Sequence, residues 1–290
     1  MEPIIYSSQD SGAPQLSVGS GILNTVIKGC LVTGYGDKAA AGWEAVYEDM
    51  ATYKLAIRPK NPKSIKSVLL LNDAPQASTI VTAYTDWSLP TQNGVNQFGS
   101  GYFVKEWTAD NPRWILLATD SFFYLFVYFQ SVAPNFVVMS GFGDVNLLMP
   151  GEGSSALIAS IEPSVSSDNT GHKSVAVSNG VVAKFPAPLF PQKSTAYGWG
   201  DASPTLASGN SYRSEVVILS RFLMYQNKDG TMQPTFELPG MLMPYSEITS
   251  GVLGSYGMDI LENQHPYVNP ILGFIQVYHG KVWIHTDDWG

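Results

Sequence analysis

The residues that could perform acid–base or metal chemistry are few and scattered along the chain. There are only four histidines, and two of them, His279 and His285, precede the adjacent Asp287 and Asp288. Imidazole and carboxylate groups this close in sequence could in principle bind a divalent ion. The simpler interpretation, which we favour, places His279 in a turn, His285 at a strand end and both aspartates in a solvated tail. We therefore expect no metal and no cofactor.

Two glycine-rich segments and several acidic pairs also suggest chemistry at first sight. Gly34–Asp37 and Gly141–Asp144 look like phosphate-binding loops, but neither has the third glycine at the required spacing. We predict that both are turns. Acidic residues such as Asp86 and Glu106 could form a glycosidase dyad, but some pair is always at hand among 24 acids. The sequence also lacks a Gly-x-Ser-x-Gly elbow, a Walker loop and a His-Glu-x-x-His motif. We therefore expect that the protein is not an enzyme.

The composition favours a subunit of an assembly. Only 14% of the residues are charged, against about 25% in an ordinary globular chain. A surface with so few charges needs neutral polar cover or partners. The net charge of −8 disfavours nucleic acid as a partner, because affinity for phosphates depends on Lys and Arg.

Cysteine usage and hydropathy predict a soluble protein made in a cytoplasm. The single cysteine, Cys30, excludes an intrachain disulfide, and we expect it to be buried as an apolar residue. No basic region followed by an apolar stretch marks a secretory signal at the N-terminus. The longest apolar run, residues 114–129, is interrupted by Thr119-Asp120-Ser121 and is shorter than the roughly 20 residues of a membrane helix. We expect no membrane partner.

One basic cluster stands out in this acidic chain. It consists of Arg58, Lys60, Lys63 and Lys66, interleaved with two prolines. Such a cluster can contact an acidic surface of a neighbouring subunit or packaged nucleic acid. The simpler interpretation, which we favour, is a solvated loop that leads into a strand.

Aromatic residues in predicted loops are candidates for binding. Rings pack on the apolar faces of sugars while neighbouring polar groups fix the hydroxyls, and the best candidates for a glycan are Asp86, Trp87, Trp199 and Asp201. Tyr197 and Trp199 suit a protein interface equally well, because Tyr and Trp are favoured there. Most other aromatic residues alternate inside predicted strands and are expected in the core.

One segment near the N-terminus has a helical period. Its apolar residues form a single stripe, consisting of Ile22, Leu23, Val26, Ile27, Cys30 and Leu31. Ser20 is suited to cap the start of this helix, and Gly34 and Gly36 are suited to end it. We predict one short helix packed on a larger body.

Almost all of the remaining chain is typical of strands and turns. Residues 113–118 and 122–129 are β-branched and aromatic runs separated by Thr119-Asp120-Ser121, which predicts a hairpin. Asn179-Gly180 and His279-Gly280 each separate two further runs and suit two-residue turns. Other predicted strands cover residues 67–71, 79–84, 102–107, 136–139, 156–161, 174–178, 181–185, 214–219, 221–225, 232–236, 273–278 and 281–285. The fold class predicted is mainly β, with antiparallel sheets in a sandwich or barrel and one short N-terminal helix.

The sequence is compatible with two domain organisations. We expect a single mainly β unit over residues 1–290, or two lobes, 1–185 and 212–290, joined by an extended loop or arm at 186–211. That stretch is rich in Pro, Gly, Ser and Ala and has no apolar period. Its Tyr197-Gly198-Trp199 group favours an arm that docks on a neighbouring subunit.

The most distinctive motif spans residues 30–43, Cys-Leu-Val-Thr-Gly-Tyr-Gly-Asp-Lys-Ala-Ala-Ala-Gly-Trp. It resembles the Cys-Leu-Val-x-Gly-Tyr-Gly-x-Lys-x-Ala-x-Gly-Trp signature of a group of tailed-bacteriophage proteins encoded among virion genes. Residues 113–126 and 238–241 also resemble this group. The chain departs from the group's pattern in residues 186–211, which form a longer stretch, and in the terminal Asp-Trp-Gly. The resemblance implies a virion structural role and brings no catalytic residues.

Within this motif, two glycine-containing segments have a predicted physical role. Gly34-Tyr35-Gly36 and Gly42-Trp43 are predicted turns that let backbone segments approach one another closely. Tyr35 and Trp43 would then fill apolar gaps in the core or, alternatively, contact another subunit.

Two classes of function follow. The first is a non-enzymatic structural protein of a tailed-phage virion, assembled in the host cytoplasm as a symmetric homo-oligomer. It would bind other virion proteins at the tail or at the head–tail attachment, or decorate the capsid. The second is a carbohydrate-binding module that recognises a host surface glycan through loop aromatics.

Overall fold

The architecture is mainly β with one short helix, as the sequence predicts. The computed structural model describes residues 2–75, 77–105, 112–129, 136–148, 153–161, 174–177, 182–184, 219–228, 231–244, 268–269, 274–277, 282–285 and 289. They belong to two compact units. We call residues 3–145 and 151–185 the larger unit, and residues 1–2, 146–150 and 186–290 the smaller unit. The predicted arm at 186–211 lies outside the described residues.

The described strands of the larger unit form two antiparallel sheets. The strands are β1 (Ile4–Ser7), β2 (Trp43–Asp49), β3 (Lys54–Pro59), β4 (Val68–Asn72), β5 (Ser78–Ser88), β6 (Asn93–Val104), β7 (Arg113–Ala118), β8 (Phe122–Phe129), β9 (Phe136–Leu147), β10 (Ser154–Ile161), β11 (Ser174–Val177) and β12 (Val182–Lys184). Strands β2 to β6 form a five-stranded sheet in chain order. Strands β1, β7, β8, β9, β10, β11 and β12 lie side by side in the other sheet.

The two sheets pack face to face over a shared core. Leu69 and Val81 from the five-stranded sheet belong to the same buried cluster as Leu116 from the facing sheet. The rings of Phe103 and Phe123 meet edge to face across the interface, with centroids 6.4 Å apart. This arrangement is a β-sandwich, and the predicted fold class is confirmed.

Strand β8 is buried on both of its faces. The predicted hairpin of residues 113–118 and 122–129 is confirmed, because β7 and β8 pair in register from Arg113 to Ala118. Phe123, Leu125 and Val127 face the shared core, while Phe122, Tyr124 and Phe126 on the opposite face are also fully buried. A strand covered on both sides needs no polar alternation, which explains the unbroken apolar run.

The prediction that Gly141–Asp144 forms a turn is wrong, because this segment lies within β9. Gly143 has a φ of 140°, and a Cβ there would collide with the carbonyl oxygen of Ser121. A Cβ on Gly141 would come within 2.8 Å of the carbonyl oxygen of Phe123. Glycine inside a strand marks close backbone approach as often as it marks a turn, and here it lets β9 pack closely on β8.

The predicted helix is present as α1 (Ile22–Lys28), followed by a π-helical turn, Gly29–Thr33. The helical segment as a whole ends at Gly34, as predicted, where φ is 76°. The predicted cap at Ser20 is wrong. The residue before the helix is Gly21, with a φ of 72° and no side-chain cap, so another segment has to satisfy the first N–H groups of the helix.

The smaller unit is also built from antiparallel strands where it is described. These strands are β13 (Leu219–Lys228), β14 (Thr231–Pro244), β15 (Val268–Asn269), β16 (Phe274–Val277) and β17 (Val282–His285). Strand β14 pairs with β13, with β17 and with the last two residues of β9, Asn146 and Leu147. Strand β16 pairs with β15 and β17, which confirms the predicted pairing of the final two runs.

Candidate interaction surface

The five-stranded sheet has an outer face that points away from the shared core. Alternate residues of a strand share one face, and the pairing register aligns the outward residues in three rows. The first row is Glu44, Arg58, Val68, Tyr84 and Gln97; the second is Tyr47, Ala56, Leu70, Thr82 and Ser100; the third is Asp49, Lys54, Asn72, Ile80 and Tyr102. We call these positions the outer face. Two of them, Ala56 and Val68, belong to an apolar cluster separate from the main core.

Apolar and aromatic side chains make up nearly half of the outer face. Ile80 is 40% exposed and its cross-strand neighbour Tyr102 is 37% exposed, and Tyr47, Leu70 and Tyr84 are half-buried. An antiparallel sheet that covers a core usually turns polar residues to its other side. Contiguous apolar surface in this position is typical of a contact site.

The charges on the outer face balance one another. Arg58 Nε donates a hydrogen bond to Glu44 Oε1 at 2.6 Å, and Asp49 lies directly opposite Lys54. The pKa of Asp49 lies below its ordinary value, chiefly because the hydroxyl of Thr52 donates a hydrogen bond to its carboxylate. The outer face thus holds two acidic and two basic side chains, and its formal charge is zero.

Trp87 packs at one corner of the outer face. Its ring lies 5.6 Å from that of Tyr47 and 6.4 Å from that of Tyr84, and the residue is only 7% exposed. The indole Nε1 is buried and has no hydrogen-bond partner among the residues that the structure describes. A buried N–H without an acceptor costs about 1–3 kcal/mol.

The same geometry bears on the glycan hypothesis. A sugar stacks on an exposed ring face, whereas the ring of Trp87 is enclosed by two tyrosines. Asp86 is exposed, and its Oδ1 accepts a hydrogen bond from the backbone N–H of Trp87 at 2.7 Å. The structure thus places these two predicted glycan residues side by side but offers no open aromatic platform at Trp87.

The hairpin of β5 and β6 extends the neutral surface beyond the sheet. Leu89 at its tip is 69% exposed and Val95 is 37% exposed. The Tyr84 ring covers Gly94, where a Cβ would collide with it. Asp86 is the only charged residue between positions 78 and 104, so the hairpin has little charge to keep other protein surfaces away.

The predicted basic cluster begins at Arg58 in β3 and continues along the connection to β4, and two of its four members already have partners within the chain. Arg58 is paired with Glu44, as described above. Lys66 Nζ donates to the carbonyl oxygens of Pro59 and Lys60, at 3.0 and 2.6 Å, and closes the loop. Lys60 and Lys63 are exposed and form no ion pair with a described residue. Only these two lysines are left to offer charge to a partner.

Tyr35 and Trp43, the rings of the signature motif, lie inside the larger unit. Trp43 is 2% exposed, and its Nε1 donates to the carbonyl oxygen of Thr119 at 2.8 Å. The Tyr35 ring meets Trp114 edge to face at 6.3 Å, and its hydroxyl donates to Asp10 Oδ2 at 2.9 Å. Burial raises the pKa of the Tyr35 hydroxyl. Trp43 is therefore a core residue without an exposed ring, whereas Tyr35 is half-buried and also lines the groove along α1.

Two further details support a structural role for the signature. The predicted turn at Gly42-Trp43 is wrong in part, because Gly42 has a φ of 94° but Trp43 is the first residue of β2. Gly36 has a φ of 51°, and a Cβ there would collide with the carbonyl oxygen of Ser11. Cys30 is buried as predicted, and burial raises the pKa of its thiol.

Sequence reasoning missed a fully buried ion pair between Asp73 and Lys105. Lys105 Nζ also donates to the carbonyl oxygens of Gly19 and Ala74, at 2.9 and 3.1 Å. Asp73 Oδ1 also accepts from the hydroxyl of Thr79 at 2.7 Å. All three ammonium donors have acceptors, as a buried charge requires.

Asp73 also supplies the missing cap of α1. Its Oδ2 accepts from the backbone N–H groups of Leu23 and Asn24, at 2.7 and 3.2 Å. The partially positive N-terminus of a helix favours a carboxylate. One buried pair thus fixes the helix, the connection between β4 and β5, and the end of β6 relative to one another.

A groove of about 490 Å³ lies along α1. The ion pair between Lys28 Nζ and Glu48 Oε2, at 2.6 Å, joins two of its lining residues. Met50, 77% exposed, and Tyr53 line it on the side of the β2–β3 turn. Its charged lining residues, Lys28, Glu48, Asp49 and Lys54, balance in formal charge.

The remaining predicted site residues, Tyr197, Trp199 and Asp201, lie outside the described residues. So do His279 and the two C-terminal aspartates. Among the residues that the structure does describe, no group of three or more His, Cys, Asp or Glu side chains is placed to hold a metal ion.

Two global observations complete the description. The described part of the chain contains no helix with the length and apolar character needed to cross a membrane. Comparison with protein-family models, with curated proteins and with solved structures gives no match for this chain.

Proposed function

We propose that the protein is a non-enzymatic structural subunit of a tailed-phage virion, which contacts neighbouring virion proteins at the tail or the head–tail attachment. The observation that carries this proposal is the outer face of the five-stranded sheet. It has no formal net charge and exposes Ile80 and Tyr102 where a solvated sheet would present polar residues.

The shape and chemistry of this face favour a protein partner. Small-molecule sites are concave and enclose most of their ligand, whereas the outer face is a sheet surface. Protein interfaces are depleted of charged residues at their centre and enriched in Tyr and Trp. The outer face matches that composition, with Leu70 at its centre, three tyrosines around it and the charged pairs at its ends.

The placement of the signature residues is consistent with this role. Tyr35, Trp43 and Gly36 pack the N-terminal segment against the sandwich, so they would preserve a fold in any protein that shares them. Partner contacts would then depend on surface residues outside the signature. A virion presents many copies of each subunit, and repeated weak contacts add up to stable attachment.

The test is to ask whether the protein is part of assembled particles. Particles are purified from infected cells by density gradient, washed in 1 M salt and probed for this chain by quantitative mass spectrometry. A neutral contact is screened little by salt, so the chain should remain at a fixed copy number per particle through the wash. A chain that is made during infection but is missing from washed particles would contradict the proposal.

A further inference from the structure

We infer that the outer face of the five-stranded sheet binds the same face of a second copy of this chain. This inference rests on the proposed function for its biological setting, but it concerns the purified protein alone. It names both the surface and the partner, which the presence of the chain in particles would leave open.

Charge is the first reason to choose a second copy as the partner. The chain carries a net charge of −8, so two copies repel one another over most of their surfaces. On the outer face the pair of Glu44 and Arg58 and the pair of Asp49 and Lys54 cancel. Two copies can therefore meet here without repulsion, whereas a strongly basic or acidic partner would gain nothing from this face.

The shape of the face is the second reason. Antiparallel sheets pack face to face with their strands roughly aligned, and the inner face of this sheet already does so within the larger unit. By register, Leu70 lies on the central strand and in the middle row. A two-fold axis near Leu70 would bury the half-exposed Tyr47, Leu70 and Ile80 of both copies in one isologous contact.

The indole of Trp87 is the third reason, because its Nε1 is one of several buried side-chain atoms without a hydrogen-bond partner among the described residues and it is the one beside the outer face. Buried donors in native structures nearly always have acceptors. A backbone carbonyl or side-chain oxygen of a facing copy is the kind of acceptor that would satisfy it. Completion of this hydrogen bond would favour the associated state over the free one.

The experiment measures the mass of the purified full-length chain by sedimentation equilibrium over a concentration series. We expect a dimer of twice 31.5 kDa that persists in 1 M salt. The variant Ile80→Lys places a charge in the contact without affecting the core, and we expect the dissociation constant to rise about 100-fold or more, because an unpaired buried charge is costly. Leu70→Glu is the second variant and should act in the same direction.

The matched control is Met50→Lys, which places the same charge on a more exposed apolar residue outside the outer face. It should leave the dissociation constant within about threefold of wild type, as expected of a surface substitution of ±0.5 kcal/mol. A wild-type chain that stays monomeric at 100 µM, or a Met50→Lys variant that dissociates as readily as Ile80→Lys, would overturn the inference. A monomer that is still found in washed particles would overturn only this inference, and a dimer that is missing from them would overturn only the proposed function.

Discussion

The two faces of the five-stranded sheet each bury a tryptophan. The two tryptophans differ in whether the indole N–H has a hydrogen-bond acceptor. Trp43, on the inner side, packs against Phe123 and Phe142 and donates its N–H to the carbonyl oxygen of Thr119. Trp87, beside the outer face, is almost as buried but has no acceptor for its N–H. The N–H of Trp43 is thus satisfied within the chain, whereas that of Trp87 has no acceptor among the described residues.

The largest predicted loss of stability comes from breaking the buried ion pair between Asp73 and Lys105. Asp73→Ala removes one partner of a fully buried ion pair and the cap of α1, and it leaves the Lys105 ammonium buried without its counter-charge. We expect a loss of about 3–5 kcal/mol in the free energy of unfolding, measured by urea denaturation. The control is Glu48→Gln at the exposed pair with Lys28, which should cost less than about 1 kcal/mol. Equal losses for the two variants would contradict the role assigned to the buried pair.

The next effect compares the two tryptophans directly. Trp43→Phe leaves a small cavity and deprives the Thr119 carbonyl of its donor, and we expect it to cost about 2–3 kcal/mol. Trp87→Phe creates a similar cavity but also removes an unsatisfied donor, so its cost should be smaller by about 1 kcal/mol or more. Chemical denaturation of both variants under the same conditions measures the difference. If Trp87→Phe costs as much as Trp43→Phe, the contrast between the two faces is wrong.

A smaller effect concerns the pH dependence of stability that arises from the buried carboxyl group of Asp144. Burial raises the pKa of Asp144 above its ordinary value, although its carboxylate accepts hydrogen bonds from Ile65 N–H and the Ser155 hydroxyl. The folded state therefore holds this proton more tightly than the unfolded state, and stability falls as the pH rises from the ordinary pKa through the raised one.

The variant Asp144→Asn cannot lose that proton. Its melting temperature, relative to wild type, should therefore increase as the pH is raised from 3.5 to 7, as measured by thermal denaturation at a series of pH values. If the difference in melting temperature between Asp144→Asn and wild type stays constant with pH, burial does not raise the pKa of Asp144.

The smallest effect on stability is predicted at the outer face itself. Ile80→Lys and Met50→Lys both replace exposed apolar side chains, so each should change the free energy of unfolding by no more than about 0.5 kcal/mol. Urea denaturation checks this below the concentration at which the chain associates. A large loss for Ile80→Lys would mean that the residue belongs to the core and cannot be used to probe a contact.

Local sequence patterns predicted much of the fold. The β7–β8 hairpin was predictable because two β-branched and aromatic runs flank the polar Thr119-Asp120-Ser121. The helix was predictable from its apolar stripe. Strands β2 and β3 were missed because charged residues such as Glu44 and Glu48 interrupt their apolar alternation. Gly141 and Gly143 were misassigned because glycine serves both turns and close strand packing.

The candidate surface could not be predicted, because it depends on pairing between distant segments. Asp73 and Lys105 are 32 residues apart, and nothing near either residue announces an ion pair. The outer face is assembled from five strands, and only their register shows that Tyr47, Leu70 and Ile80 share a surface. The sequence did identify Trp87 as a residue of interest, but its burial and its missing acceptor emerge only from packing.

The central proposal is that the outer face joins this chain to a neighbouring subunit of a virion, which we infer to be a second copy of the chain. It is tested most directly by complementation, in which cells infected by a phage lacking this gene supply wild type, Ile80→Lys or Met50→Lys, and incorporation into particles is quantified by mass spectrometry. We predict that Met50→Lys is incorporated like wild type and that incorporation of Ile80→Lys falls by about tenfold or more, because one buried charge costs at least the 1.4 kcal/mol that corresponds to a factor of ten. Equal incorporation of the two variants would contradict the proposal.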